Sequence, residues 1–420
     1  MKRMLLQLKA VKAASSELSM LGHQERERLL LGIAEHLKKS KKQIGRANSK
    51  DISIFKGSES LCQRLALGEQ KLDRSIRGII EVAKLPDSLG KIIDKRRRPN
   101  GLIIEKITVP LGVIGVIYES RPDVTIELTA LALKTGNAIV LKGGKESFHT
   151  NQAIVAVIKK VLQAKGLSPE IVHLVDPKED WKKDLLNADG LIDLLVPRGG
   201  EGLIKFVREN ARVPVIETGA GVCHIFVDFS ADLKKAIQII VNSKVQMPSA
   251  CNALDTLVVH RKIASKLLPL AAEQLFLYGV EIFADKEAYR ILSARSHSRF
   301  LKKAHPEDFG HEFLSMKMAV KTVGSFDAGL KFIKENTSSH TESILTADKK
   351  HADEFLKSID ASVVIHNASL RFTDGGEFGM GAEVGISTQK IHARGPMGID
   401  ALMSYKWIVR GKGQIRILKK

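Results

Sequence analysis

Cysteines and aromatic residues are scarce in this chain of 420 residues, and long apolar runs are lacking. Its three cysteines, Cys62, Cys223 and Cys251, are odd in number and widely spaced, which fits neither a disulfide framework nor a zinc pattern. We therefore expect no metal site and a reducing cytoplasm as the compartment. No apolar stretch reaches the roughly 18 residues of a membrane span. The basic N-terminus lacks the apolar core and small-residue cleavage site of a signal peptide.

Acidic residues are also fewer than basic ones, 47 against 66, and the formal net charge is +19. Such a surplus can indicate a nucleic-acid partner, because lysine and arginine neutralise phosphates. However, only 5% of residues are aromatic, and no stacking motif is interleaved with the short basic runs. We interpret the charge as a solvated basic surface that attracts small anions. A non-catalytic, nucleic-acid-binding protein remains the alternative from a different class.

The length predicts two or three domains, and residues 1–91 have the pattern of consecutive helices. Apolar residues from position 25 to 37 recur at helical spacing and form one stripe. Cys62 lies in a further predicted helix, where we interpret it as a core residue. The members of the stripe are Leu29, Leu30, Ile33, Ala34 and Leu37.

Two strand-like stretches follow, Ile92–Arg97 and Leu102–Val109, on either side of Asn100-Gly101. Asn-Gly between strand-forming runs is a strong hairpin signal. An isolated hairpin is marginally stable in water, so we expect this one to rest on another domain or subunit. The chain ends in two more strand-like runs, Met403–Arg410 and Gln414–Leu418, which often pair with another element.

From Pro110 onwards, strand and helix patterns alternate, first up to about Ile216 and again from His224 to Ile365. Near-continuous Val/Ile/Leu strands between helices predict parallel sheets covered on both faces, an α/β fold. Ligands of such sheets bind beyond the carboxyl ends of the strands. The predicted strands include 113–118, 137–142, 171–175, 192–196, 213–216, 224–228 and 256–260.

Cys251 lies on a predicted loop between a helix that Pro248 ends and the strand from Thr256. A free thiol has a pKa near 8.5, and backbone amides or cations can increase its thiolate fraction. A thiolate attacks activated acyl groups well, so Cys251 is a candidate nucleophile; an inert buried cysteine is the alternative. Cys223 and His224 are adjacent in a predicted strand, where side chains point to opposite faces, so we predict packing rather than a catalytic pair.

Two glycine turns each end a buried strand and precede a helix: Gly143-Gly144 after Lys142, and Gly199-Gly200 after Arg198. Glycine allows close approach of a ligand to the backbone, and helix N-termini favour phosphate. Neither turn is a Walker loop or a GxGxxG motif. For each turn alone, a purely structural role is as compatible with the sequence as ligand binding. Two such turns at the carboxyl-terminal ends of strands in one sheet favour a nucleotide-binding site.

Longer runs resemble a known family. The segment Pro110–Pro122, PLGVIGVIYESRP, and the C-terminal runs Asn367–Gly379 and Gly381–Gly398 are similar to the gamma-glutamyl phosphate reductases of the aldehyde dehydrogenase superfamily. The surroundings of Cys251 are similar to that family's nucleophile loop. The resemblance spans almost the whole chain and is far more specific than any short motif.

The resemblance implies an aldehyde-dehydrogenase-like fold: a Rossmann-like cofactor domain, an α/β catalytic domain and a β-hairpin for oligomerisation. It implies NADP-dependent reduction of L-glutamate 5-phosphate to L-glutamate 5-semialdehyde through a Cys251 thioester, in proline biosynthesis. The corresponding domains are 1–91 with 111–222 for NADP, 223–394 for catalysis, and 92–110 with 395–420 for oligomerisation. A homo-oligomer and functional coupling to a glutamate kinase are the expected partners.

The resemblance also implies roles for further residues. Catalysis is expected from Cys251 together with Asn252, near the developing oxyanion. The expected cofactor-binding residues are Lys142, Gly199, Gly200 and Glu312. Guanidinium groups bind phosphate and carboxylate bidentately, so the expected substrate-binding residues are Arg121 and Arg198, with His392 and Arg394; a structural ion pair is the alternative for each arginine.

The sequence departs from the family pattern at four positions. Met247 occurs where arginine is usual and Asp255 where glutamate is usual, and Gly329 and Phe332 replace alanine and histidine. Losing an arginine four residues before the nucleophile is expected to affect efficiency rather than reaction type. An acylating dehydrogenase that releases coenzyme A is the alternative enzyme.

Overall fold

The computed structural model describes residues 2–217, 219–295 and 298–416. The chain divides into two compact units. Unit 1 comprises residues Met1–Glu217, Gly379–Val384 and Met397–Lys420, and unit 2 comprises Thr218–Phe378 and Gly385–Pro396. The chain therefore leaves unit 2 twice near its end and returns to unit 1. No helix among the described residues has the length and apolarity that crossing a membrane requires.

Unit 1 begins with five helices, as the sequence predicts. The apolar stripe of the second helix is buried along its whole length, because its members recur on one helical face. Cys62, in the fourth helix, is half-buried rather than a core residue. The helices are α1 (Lys2–Ser19), α2 (His23–Lys39), α3 (Lys41–Ile54), α4 (Glu59–Leu65) and α5 (Glu69–Lys84).

The predicted hairpin is present as strands β1 (Ile92–Arg97) and β2 (Ile103–Pro110), which pair antiparallel. Gly101 adopts φ +87° in the turn between them, a conformation that glycine adopts without steric cost. This confirms the hairpin that the Asn-Gly pair predicts.

The second half of unit 1 is a four-stranded parallel sheet with the strand order β5-β4-β3-β6. The chain moves from β3 to β4 and β5 on one side and then to β6 on the other, so the order reverses at the β3–β6 pair. The strands are β3 (Val113–Tyr118), β4 (Ala138–Lys142), β5 (Val172–Leu174) and β6 (Leu194–Arg198), with helices α6 (Pro122–Lys134), α7 (Phe148–Ala164), α8 (Trp181–Asp184) and α9 (Glu201–Asn210).

The strand predicted at 213–216 is wrong. Val215 makes an isolated bridge to Leu195 and no regular ladder forms. Pro214 explains this, because it has no N–H to donate to a ladder; only its carbonyl is used, accepting from Leu195 N at 2.8 Å.

Unit 2 is built on a parallel sheet with the order β10-β9-β11-β8-β7-β12-β13. Its adjacent strands β8, β7 and β12 are buried throughout, as expected for a sheet covered on both faces. Both the strand at 256–260 and the parallel arrangement confirm the prediction. The strands are β7 (His224–Val227), β8 (Thr256–His260), β9 (Glu281–Ala284), β10 (Leu301–Lys303), β11 (Lys317–Val323), β12 (Thr341–Leu345) and β13 (Val363–His366).

Helices connect these strands, and two short strands close the unit. The helices are α10 (Leu233–Val245), α11 (Arg261–Leu277), α12 (Lys286–Ser293), α13 (Phe326–Asn336) and α14 (Lys349–Ser358). The short strands β14 (Ile386–Ser387) and β15 (Gly395–Pro396) pair antiparallel with each other.

The last strand of the chain, β16 (Met403–Arg410), returns to unit 1 and pairs antiparallel with β2, giving a three-stranded sheet β1-β2-β16. The predicted second terminal strand is not formed over residues 414–416, and Ile417–Leu418 lie outside the described residues. Gln414 is instead tied to the hairpin turn by its side chain, which donates to Asn100 O at 2.9 Å.

Candidate active site

The predicted nucleophile Cys251 lies in a turn at the amino-terminal ends of the strands in the sheet of unit 2. We call residues 246–255, between α10 and β8, the nucleophile loop. Short backbone hydrogen bonds shape it: Ala250 N donates to Met247 O at 3.1 Å and Ala253 N to Ala250 O at 3.0 Å. Cys251 is half-buried, so a reactant can reach it.

The backbone of Cys251 is held from two sides. Cys223 Sγ donates to Cys251 O at 3.2 Å. Gly221 packs so closely that a Cβ at this position would lie 1.8 Å from the same oxygen. Only glycine permits this approach. The lead-in to β7 therefore fixes where the nucleophile loop lies.

Cys223 and His224 have different partners, which confirms that they do not form a pair. His224 Nδ1 is 3.0 Å from Glu342 Oε2, whereas Cys223 Sγ is 3.7 Å from His340 Nδ1. Burial raises the pKa of the Cys223 thiol well above its ordinary value. A thiol that stays protonated is a poor nucleophile, so Cys223 is a structural residue.

Asn252 connects the nucleophile loop to the C-terminal run. Its Nδ2 donates to Thr373 O at 2.7 Å, and the residue is 3% exposed. One amide proton is therefore committed to holding the loop. A role of Asn252 at the oxyanion stays a prediction.

A cation that sequence reasoning missed lies against the nucleophile loop. Arg371 Nε donates to Gln246 Oε1 at 2.7 Å, and its Nη2 is 3.8 Å from Met247 Sδ. The loop thus has a guanidinium neighbour, although Met247 occupies the position at which the resemblance predicts an arginine. The only sequence signal was that Arg371 belongs to the recognised run from Asn367.

Glu312 is brought to the same edge as Cys251. Its Oε1 accepts from Gly221 N at 2.9 Å, and Gly221 is the residue that packs on the Cys251 carbonyl. The segment that carries Glu312 precedes β11. Gly221, Cys251 and Glu312 therefore all lie at the amino-terminal ends of strands in one parallel sheet. The structure therefore joins the predicted nucleophile and one predicted cofactor residue through a single glycine.

Arg394 and His392 lie near the end of unit 2. Arg394 Nη1 donates to Asp360 Oδ1 at 2.7 Å, and Lys390 also pairs with that carboxylate. His392 adopts φ +72°. The ion pair agrees with the structural alternative for Arg394, and a substrate role for either residue stays a prediction.

The remaining predicted residues belong to unit 1, at the carboxyl edge of its sheet. Arg121 follows β3, Arg198 ends β6 and is followed by Gly199 and Gly200, and Lys142 ends β4. Strand order reverses at the β3–β6 pair, and ligands bind at such points. Arg121 Nη2 lies 3.8 Å from Asp123 Oδ2, a contact too long for a strong ion pair.

The turn after β6 already accommodates an anion. Gly200 N, at the start of α9, donates to Glu119 Oε2 at 2.9 Å. A Cβ at Gly199 would lie 2.5 Å from that oxygen. Exposed amides of this kind suit phosphate as well as carboxylate, so a phosphate that binds this amide has to displace Glu119.

Lys142 provides a cation at the neighbouring strand end. Its Nζ donates to Gly143 O at 2.8 Å and lies 5.0 Å from the centroid of the Trp181 ring. Burial lowers the pKa of Lys142. The cation, the amides and the aromatic ring together have the chemistry that a dinucleotide requires, so the residues present fit the predicted cofactor.

Comparison with known proteins shows the family of this chain. The profile described as "Aldehyde dehydrogenase family" matches residues 6–279. The chain belongs to the aldehyde dehydrogenase family. It is similar to the gamma-glutamyl phosphate reductases of Legionella pneumophila, with 47% identity over 98% of both chains, and of Chlorobium phaeobacteroides, with 46% identity over 98% of both.

A solved structure extends the similarity to the fold. The gamma-glutamyl phosphate reductase of Thermotoga maritima matches with a TM-score of 0.94 and 42% identity over 98% of this chain and 100% of that chain. The predicted aldehyde-dehydrogenase-like α/β fold is therefore confirmed. The protein is an oxidoreductase of this family, as predicted.

Proposed function

We propose that the protein reduces L-glutamate 5-phosphate to L-glutamate 5-semialdehyde and releases phosphate, as a step of proline biosynthesis, with NADPH as the reductant. The observation that carries the proposal is the 46–47% identity, over almost the full length, to proteins named gamma-glutamyl phosphate reductase. The position of Cys251 supports it, because the loop cysteine is accessible and its backbone is held in place.

In the proposed mechanism, the Cys251 thiolate attacks the carbonyl carbon of the acyl phosphate. The bond from that carbon to the phosphate oxygen breaks, phosphate leaves, and a thioester on Cys251 remains. Backbone amides of the nucleophile loop, together with Asn252, would stabilise the negative charge that develops on the carbonyl oxygen. Arg121, Arg198, His392 and Arg394 are the proposed partners of the substrate's phosphate and carboxylate groups.

The proposed cofactor-binding residues are Lys142, Gly199 and Gly200 in unit 1, and Glu312 is the one proposed in unit 2. When bound, the reduced nicotinamide supplies a hydride to the thioester carbon. After reduction, the bond between Cys251 Sγ and that carbon breaks, releasing the aldehyde and restoring the thiolate. The protein's contribution is to orient the thioester and to exclude water that would hydrolyse it.

The decisive experiment runs the reaction backwards with glutamate semialdehyde, phosphate and NADP, and follows the absorbance of NADPH. We expect turnover that requires phosphate. Absence of phosphate-dependent turnover by the pure protein would contradict the proposal. Replacing NADP by NAD in the same assay decides which dinucleotide is preferred.

A single substitution tests the nucleophile. Cys251→Ser is expected to abolish turnover, because serine is not ionised at neutral pH, while leaving NADPH binding, measured by fluorescence, unchanged. Cys62→Ser is the matched control, since Cys62 lies in α4 of unit 1, and it is expected to stay active. An active Cys251→Ser variant would remove covalent catalysis from the mechanism.

We further propose a homo-oligomer joined through the sheet β1-β2-β16, and functional coupling to a glutamate kinase, because an acyl phosphate hydrolyses readily and benefits from direct delivery. A reducing compartment such as the cytoplasm suits a protein that carries three thiols.

A further inference from the structure

The nucleophile loop ends in a buried carboxylate, which accepts hydrogen bonds from two other segments. Asp255, the last residue of the loop, is 2% exposed. Its Oδ2 accepts from Cys223 N at 3.3 Å, and its Oδ1 accepts from Phe313 N at 3.0 Å. One side chain therefore ties the end of the nucleophile loop to the lead-in of β7 and to the segment before β11.

Each of these bonded residues adjoins a group that the proposed reaction uses. The thiol of Cys223 donates a hydrogen bond to Cys251 O. Phe313 follows Glu312, whose carboxylate accepts a hydrogen bond from Gly221 N. Gly221 in turn packs on the Cys251 carbonyl. The contacts form a closed ring, in which the Asp255 carboxylate is the link between the two bonded segments.

The charge beneath the loop is balanced by a buried lysine. Lys244 is fully buried near the end of α10, and its Nζ donates a hydrogen bond to Leu254 O at 2.8 Å. Burial raises the pKa of Asp255 to about 7 and lowers the pKa of Lys244 to about 8, and each group's charge opposes the shift of the other. A buried carboxylate in this position is costly unless its bonds are made, which fits a group retained for geometry.

We propose that Asp255 is a positioning residue that fixes the nucleophile Cys251 and the cofactor residue Glu312 relative to one another. The inference rests on the proposed function for the roles of those two residues.

Asp255→Asn tests the proposal with little change in shape. An amide has one acceptor oxygen, so its NH₂ group faces a backbone N–H and one of the two bonds is lost. We expect the rate of Cys251 alkylation by iodoacetamide, followed by peptide mass spectrometry, and the KM for NADPH to change together, each by about tenfold or more. Asp255→Glu keeps two acceptor oxygens and is expected to recover most of both properties.

Asp285→Asn is the matched control. Asp285 follows β9, at the carboxyl-terminal ends of the strands of the same sheet. It also bridges two segments, because it accepts hydrogen bonds from Ala288 N and Thr322 N at 2.8 Å. It is expected to leave alkylation and KM unchanged. Equal losses in both asparagine variants, or wild-type values of both readouts in Asp255→Asn, would overturn the proposal.

Alkylation of Cys251 needs neither substrate nor turnover, so this result is separate from the outcome of the phosphate-dependent assay. If Asp255→Asn does not fold, hydrogen exchange on the unmodified protein serves in its place. The amides of Cys223 and Phe313 are expected to be strongly protected, and exchange at the rate of unbonded amides would equally overturn the assignment.

Discussion

Cys223 and Cys251 are joined by a hydrogen bond, yet their environments differ. Cys223 is fully buried and its pKa is raised, mainly by desolvation and then by the negative charges of Asp255 and Glu342. Cys251 lies half-exposed on a turn of the nucleophile loop. Because the thiolate is the reactive species, the burial of Cys223 and the partial exposure of Cys251 favour Cys251 as the proposed nucleophile. From the sequence alone, only the family resemblance distinguishes Cys251 from Cys223 as the candidate nucleophile.

We expect His340 to make the stability of the protein depend on pH, because its imidazole is buried. Burial lowers its pKa to about 4, from an ordinary value of about 6.5. Between these values the unfolded chain binds a proton that the folded chain does not, so stability is lost as the pH falls through this window. For wild type we expect about 2 kcal/mol of this loss between pH 7 and pH 5.

His340→Gln measures that contribution. Urea unfolding at pH 7 and at pH 5 should show a smaller decrease in the free energy of unfolding for the variant than for wild type, whatever their difference at pH 7. An identical decrease in both proteins would show that His340 is not the group responsible.

At the scale of elements, local pattern was sufficient where a segment is uniformly buried or clearly amphipathic. The strand 256–260 and the stripe of α2 are examples, because burial on one or both faces fixes their composition. Local pattern was insufficient where the decisive contact is remote in sequence. Asp255 bonds to Phe313, and Gln246 to Arg371, and no spacing rule links such positions.

Gly221 shows how a connection between elements limits a single residue. A Cβ there would lie 1.8 Å from Cys251 O, so Gly221→Ala must displace the nucleophile loop. We expect kcat to fall by about a hundredfold or more, because small misplacements of reacting groups are this costly, while the fold is retained. Gly324→Ala is the control, since its Cβ would have its nearest neighbour at 3.7 Å; similar losses in both variants would contradict this view.

Close packing against Phe226 explains why glycine suits position 329, where the resemblance predicts alanine. A Cβ at Gly329, in α13, would lie 2.7 Å from the ring of the fully buried Phe226. We expect Gly329→Ala to cost about 1–3 kcal/mol through overpacking. Because alanine also gains about 1 kcal/mol in helix propensity, the expected net destabilisation is up to about 2 kcal/mol. Chemical unfolding measures this difference.

Two further variants check that interpretation. Gly45→Ala in α3 has no atom within 4 Å of the new Cβ, so it is expected to be neutral or stabilising. Adding Phe226→Leu to Gly329→Ala should reduce the cost by relieving the contact. A stabilised Gly329→Ala variant would show that the ring moves aside without penalty.

At the scale of the whole molecule, the order of the chain does not follow the order of its units. Residues 379–384 and 397–420 belong to unit 1 although unit 2 precedes them. β16 completes a sheet with β2, almost 300 positions earlier in the chain. The sequence predicts β16 as a strand, but its partner depends on long-range pairing that local composition does not encode.

This completed sheet carries the strongest signal for assembly. Tyr405, Trp407 and Val409 alternate along β16 and are 52%, 47% and 58% exposed. Lys106 Nζ lies 3.4 Å from the centroid of the Tyr405 ring. Among the described residues, β16 is also an edge strand of its sheet. Exposed aromatic rings beside an open strand edge are typical of an interface, so we expect a homo-oligomer.

Trp407→Glu is expected to reduce the molecular mass measured by light scattering to that of a smaller species, because a charge in an apolar contact stays unpaired. Met20→Glu is the control, since Met20 is 85% exposed in the turn after α1 and lies outside this sheet. A monomeric wild-type protein, or a Trp407→Glu variant of unchanged mass, would contradict assembly through β16. If assembly is confirmed, comparing the activity of the two variants at equal concentration decides whether catalysis depends on it.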